Sequence, residues 1–278
     1  MTKCKAVGAL KFGCSGRRVV AVANQAVREG MRHCVPLGFG LGILFLVAGV
    51  GILRSLHFGT DPVEFVSGLG LAGMSVFGWL CTIVLTVQFF HGEFEARTSR
   101  MLFTRPLGRF EFVLGRWLGT VVLMGVFFAS AAVALTGQVG LMADADAGGA
   151  GWRHWEIVSG GMIAWFKCAL LAAAVQCAAA ALCGRLLATM AGVTILVICH
   201  ARPVLDDAAR RIGSPILEMI VRGVARAVPD FPSLDIDPLR SGSVMDFLGA
   251  ISPPMLHGGV YLVGLLIAGG LILRGREA

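Results

Sequence analysis

The side chains able to do chemistry in this chain are few and scattered. His57, His154, His200 and His257 fall near the expected outer ends of apolar runs, and Met142, Met162, Met245 and Met255 fall on the same side. Imidazole and thioether groups both ligate copper. No MxxM, HxxH or cysteine-containing cluster joins them, so they read as boundary residues, and neither a metal site nor a cofactor is expected. The eight cysteines, at 4, 14, 34, 81, 168, 177, 183 and 199, form no CxxC pair and lie in the basic N-terminal segment or in apolar runs. That distribution suits small buried residues rather than disulfides or zinc ligands.

Catalytic patterns are equally thin. GCSG at 13–16 lacks the glycine pattern of a nucleophile elbow, and HGE at 91–93 lacks both HExxH and a cysteine pair. No pair of carboxylates falls within an apolar run, which disfavours a proton-coupled carrier. No G-x-x-x-x-G-K-[ST] is present, so the chain has no loop to cradle the phosphates of ATP. A non-catalytic protein is expected. Lys167 is the only lysine in an apolar run, and an ionisable group at membrane depth points to function. It lines a substrate path, or, lying about seven residues from the outer start of its run, it snorkels outward past Trp165 and Phe166.

The elements that must position these residues are membrane helices. Of the 278 residues, 56% are hydrophobic and 15% charged, and the mean hydropathy is +0.78, whereas a soluble chain carries roughly a quarter charged residues. Six uncharged or nearly uncharged runs are long enough to cross a bilayer: 35–53, 66–90, 112–136, 160–183, 186–201 and 254–273. The fourth and fifth form one apolar stretch that should turn tightly at Gly184. An all-α integral membrane protein with six transmembrane helices is the expected fold. Residues 1–34 form a basic N-terminal segment with an interfacial helix and no cleavable signal peptide. A loop, 203–253, carries an amphipathic helix from Asp206 to Ala227 with Ile212, Ile216, Ile220 and Val224 on one face. A short basic tail, 274–278, closes the sequence.

Charge sets the expected orientation. The net charge of +7 belongs mostly to residues flanking apolar runs, which excludes nucleic acid as the natural partner. Lys and Arg number 14 on the side holding both termini and 8 on the other, most of these in the single long loop. Both termini are therefore expected in the cytoplasm, with the chain multi-pass in the cytoplasmic (inner) membrane and loop 203–253 outside.

The densest pattern is HGEFEARTSRMLFTRPLGRFEFVLGRWLG, residues 91–119, between the second and third runs. Glu93 and Arg97 stand at i, i+4 spacing on a short helix that Pro106 must stop or kink. A charged helix held between two spans either fixes their depth or serves a cytoplasmic partner as a handle. Glu93, Glu95, Arg97, Thr98, Arg105, Pro106, Arg109, Gly115 and Arg116 follow the order and spacing of the equivalent loop in the ABC-2 type transporter permeases, which this chain resembles. The likeness is to the NosY-like branch linked to copper-enzyme maturation. Residues 186–211 resemble that branch's apolar hairpin and charged helix, with Cys199 before His200 where the branch has glycine. Pro229 to Phe231 and the tail LILRGREA also match.

The resemblance implies a six-span permease bundle of the type V exporter sort, working with a second permease copy, identical or not, and a separate ABC ATPase subunit. It makes 91–109 the coupling helix region that rests on the ATPase, with Glu93, Glu95, Arg97, Thr98, Arg100, Arg105, Pro106 and Arg109 as the contact and headgroup anchors. The expected function is ATP-driven transport, by export, of a substrate the sequence does not identify. The alternative is a membrane scaffold or signal transmitter of an ABC-type complex that moves no solute.

Overall fold

The computed structural model describes residues 16–32, 35–54, 62–95, 108–142, 150–182, 184–211, 216, 218, 219, 223, 229, 231–235 and 244–275. The described elements are α1 (Gly16–Arg32), α2 (Val35–Arg54), α3 (Pro62–Glu95), α4 (Arg109–Met142), α5 (Ala150–Ala181), α6 (Arg185–Arg211), a 3-10 turn (Pro232–Leu234) and α7 (Val244–Gly275). The regular structure described is all helical. Helices α2 to α7 are each long and apolar enough to cross a membrane. The chain therefore has the architecture of a multi-pass membrane protein.

Several helices outrun the apolar runs read from sequence. At 1.5 Å per residue, the 34 residues of α3 and of α4 extend about 51 Å, well beyond a hydrocarbon core of about 30 Å. Helix α5 is central: 72% of its span is buried, against 17% for α6. It packs between α3, α4, α6 and α7. The link between α5 and α6 turns at Gly184, whose φ of +135° is open to glycine and strained for any other residue.

Small residues set how closely the helices approach. Gly192 of α6 lies against Ile83 and Val175, and Gly258 of α7 against Phe166 and Leu170. Polar side chains add interhelical hydrogen bonds, the only partners on offer where water is excluded. Trp117 Nε1 donates to the Ala169 carbonyl, Trp165 Nε1 to Val121 and Gln176 Nε2 to Val113, each at 2.9 Å, so three donors clamp α4 to α5. Buried hydroxyls turn inward on their own helices, as Thr82 does to the Gly78 carbonyl and Thr120 to Arg116.

Helix α1 is amphipathic, with Val19, Val22, Ala26 and Gly30 on one stripe and Arg17, Arg18, Arg28 and Arg32 exposed. Its stripe runs along α4, where Gly115 faces Val22 and Gly119 faces Ala26. Of the amphipathic segment expected from Asp206 to Ala227, α6 takes the first part, to Arg211; beyond it Ile216, Glu218, Met219 and Gly223 are helical, with Ile216 and Met219 exposed, and the other residues to Ala227 lie outside the described residues.

Candidate functional site

Two regions hold the residues singled out by sequence. The first is the junction between α3 and α4. Glu93 and Glu95 lie on the last turn of α3 and Arg109 opens α4. Arg97, Thr98, Arg100, Arg105 and Pro106 lie outside the described residues. Gly108 caps α4: its N–H donates to Glu111 Oε2 at 3.1 Å while its carbonyl accepts from the Phe112 N–H at 3.1 Å. A carboxylate three residues into a helix that reaches back to the cap stabilises the helix start, and its charge suits the positive end of the dipole. Glu111 also meets Arg18 of α1 at 3.8 Å.

One turn and a half further, Arg116 is 2% exposed and donates from Nη1 to Glu29 of α1 at 2.9 Å. Its guanidinium lies 5.7 Å from the Phe112 ring centre and 6.0 Å from Phe89 of α3. The side chain thus ties α1, α3 and α4 together where the charged linker leaves and rejoins the bundle. Sequence singled out Arg116 through its motif position, yet its partner Glu29 is 87 residues away and carried no local signal.

The second region surrounds Lys167. Within the span His154–Ala181 it stands thirteen residues after the first and fourteen before the last, about 20 Å from either end. Its side chain is 3% exposed, and Nζ meets Asp235 Oδ1 at 2.5 Å. Trp165, the neighbour past which snorkelling was expected, instead bonds to α4. Asp235 follows the 3-10 turn Pro232–Leu234, which folds back from the long loop onto the bundle. Phe231 and Leu234, at 0% and 2% exposure, join the core around Leu170 and Phe247 and hold the turn in place. Phe231 also lies 5.9 Å below the Lys167 ammonium.

A cleft of about 420 Å³ opens beside this pair, between α3 and α5. Its walls include Leu71, Ser75, Trp79, Ile163, Lys167 and Asp235. Behind it, the His200 ring packs 4.3 Å from Trp79 and 5.4 Å from Phe231, with Nδ1 2.9 Å from the Leu196 carbonyl. His200 is thus half-buried against the bundle, four residues before the end of the span Arg185–Val204. Asp235 was missed by sequence reading; the usable signal was the spacing of Phe231 and Leu234 after Pro229, an apolar pair on one face of a turn. Among the described residues no three His, Cys, Asp or Glu side chains gather as metal ligands. The scan against protein-family models and the search of curated proteins each return no match, so the six-helix membrane bundle is as far as identity is fixed.

Proposed function

We propose that this chain is the membrane subunit of an ABC-2 type transporter, energised by a separate ATPase and exporting a substrate across the cytoplasmic membrane. The observation that carries the proposal is the charged segment from Glu93 to Arg116. Its two flanking helices are the longest in the bundle and outrun a bilayer core, so the segment is held at the end of two stiff rods. Rods of that kind pass a push on the linker into the spans. The Arg116–Glu29 pair and the Gly115 and Gly119 seam add α1 to the moving unit, so force at the linker acts on α1, α3 and α4 together. In this assignment both termini face the cytoplasm, Glu93, Glu95, Arg97, Thr98, Arg100, Arg105, Pro106 and Arg109 meet the ATPase or the headgroups, and a second permease copy completes the pore.

The test is co-purification of the chain with its nucleotide-binding partner, followed by ATPase assays of the reconstituted pair. Glu93→Lys and Glu95→Lys are expected to leave insertion intact and to abolish substrate-stimulated hydrolysis. Normal stimulation in both variants would overturn the assigned contact. A pair that assembles yet responds to no solute or lipid across a broad panel would favour a transmitting role over transport.

A further inference from the structure

We infer that the cleft at Lys167 is a binding site for an anionic lipid from the surrounding bilayer, whose phosphate takes the place of the Asp235 carboxylate. This deepens the transporter proposal by naming a ligand class, and rests on that proposal only for the step of calling the lipid a substrate.

The two halves of the Lys167–Asp235 pair are held very differently. Lys167 is 3% exposed and sits on the central helix, whereas Asp235 is 66% exposed on the residue that ends a three-residue turn. A purely structural ion pair in a membrane interior gains most when both charges are enclosed and bonded on all sides. Here the cation is fixed in the wall and the anion is carried on a short turn anchored by Phe231 and Leu234. An incoming anion can therefore displace the carboxylate without disturbing the helices.

The cleft beside the ammonium matches the rest of such a ligand. Its volume, about 420 Å³, is in the range of ligand pockets, and its walls are mainly apolar. On one edge it is lined by Ala72 and Val76, both exposed on the outer surface of a spanning helix, so it opens sideways where acyl chains lie. The Trp79 indole N–H lines the same space and has no acceptor among the described residues, leaving it to a headgroup oxygen. Glu156 lines the cleft eleven residues before Lys167 on α5, about 16 Å away, so the end that attracts an anion is the Lys167 end.

Native mass spectrometry of the purified full chain in neutral detergent tests this, with dioleoyl phosphatidic acid, dioleoyl phosphatidylcholine and oleate as separate probes. One phosphatidic acid is expected to be retained in preference to phosphatidylcholine. Lys167→Gln should abolish the preference. Asp235→Asn should tighten phosphatidic acid binding by about tenfold, because it removes the competing internal anion. The double variant Lys167→Gln, Asp235→Asn carries no uncompensated charge and should show no preference, with gel filtration as the control for folding. Weakening by both single variants, or equal retention of the two phospholipids, would overturn the inference. Retention of oleate but not phosphatidic acid would overturn the assignment to a bilayer phospholipid. The ATPase partner is absent from these measurements, so their failure would leave the coupling proposal standing.

Discussion

Substituting Gly119 by alanine should loosen α1 from the bundle. A Cβ built on Gly119 falls 2.5 Å from Ala26 Cβ and 3.2 Å from the Ala23 carbonyl oxygen. Carbon atoms in good contact stand about 3.5–4.0 Å apart, so the overlap is about 1 Å. Both obstructing atoms belong to the α1 backbone or are fixed directly to it, and no rotamer change relieves them. Helix α1 must move bodily, and overpacking of this sort costs about 1–3 kcal/mol. Local opening of α1 becomes easier by the same amount, which is about 5- to 150-fold in the open population. Arg28 is exposed on α1 and reports that opening as a tryptic site. Its cleavage rate, followed by mass spectrometry at low protease, should rise by that factor in Gly119→Ala. Gly140→Ala on the same helix meets nothing within 4 Å and should leave the rate unchanged. Equal cleavage in the two variants would refute the claim that the glycine seam holds α1 to α4.

Two further outcomes follow from single sites. Removing either partner of the Arg116–Glu29 pair should lower thermal stability by about 1.5–3 kcal/mol, since the bond is charge-assisted and Arg116 is 2% exposed. A double-mutant cycle with Arg116→Met and Glu29→Gln, read from unfolding in detergent, should give a coupling of about 1 kcal/mol or more, and additive losses would dissolve the pair. Gly184→Ala has room for its methyl but not the backbone, because φ is +135°. It should destabilise the α5–α6 hairpin by about 1–3 kcal/mol, whereas Gly49→Ala, in open space on α2, should not.

How much of this was legible in the sequence depends on the range of the cause. The six runs were readable because crossing a bilayer is a requirement on consecutive residues, and each run lies in a helix of its own. The turn at Gly184 was readable for the same reason, as a small residue and a charge between two apolar halves. The lengths of α3 and α4 were underestimated because Glu93, Glu95, Arg109 and Glu111 interrupt hydropathy without interrupting the helix. The candidate site was only half visible: Lys167 stood out as a cation in an apolar run, but its partner Asp235 did not.

Sequence by itself determined that the chain is a bundle of apolar helices with a charged linker between the second and third spans, because those properties are sums over neighbouring residues. Tertiary structure alone decided that Arg116 meets Glu29 across 87 residues and that Lys167 meets Asp235 across 68. Neither pairing leaves a trace in local composition. Each arises because a buried cation must find a carboxylate wherever packing of the apolar faces happens to bring one. Lys167, read from sequence as a cation in an apolar run, is thus a buried cation closed by a turn from a distant loop.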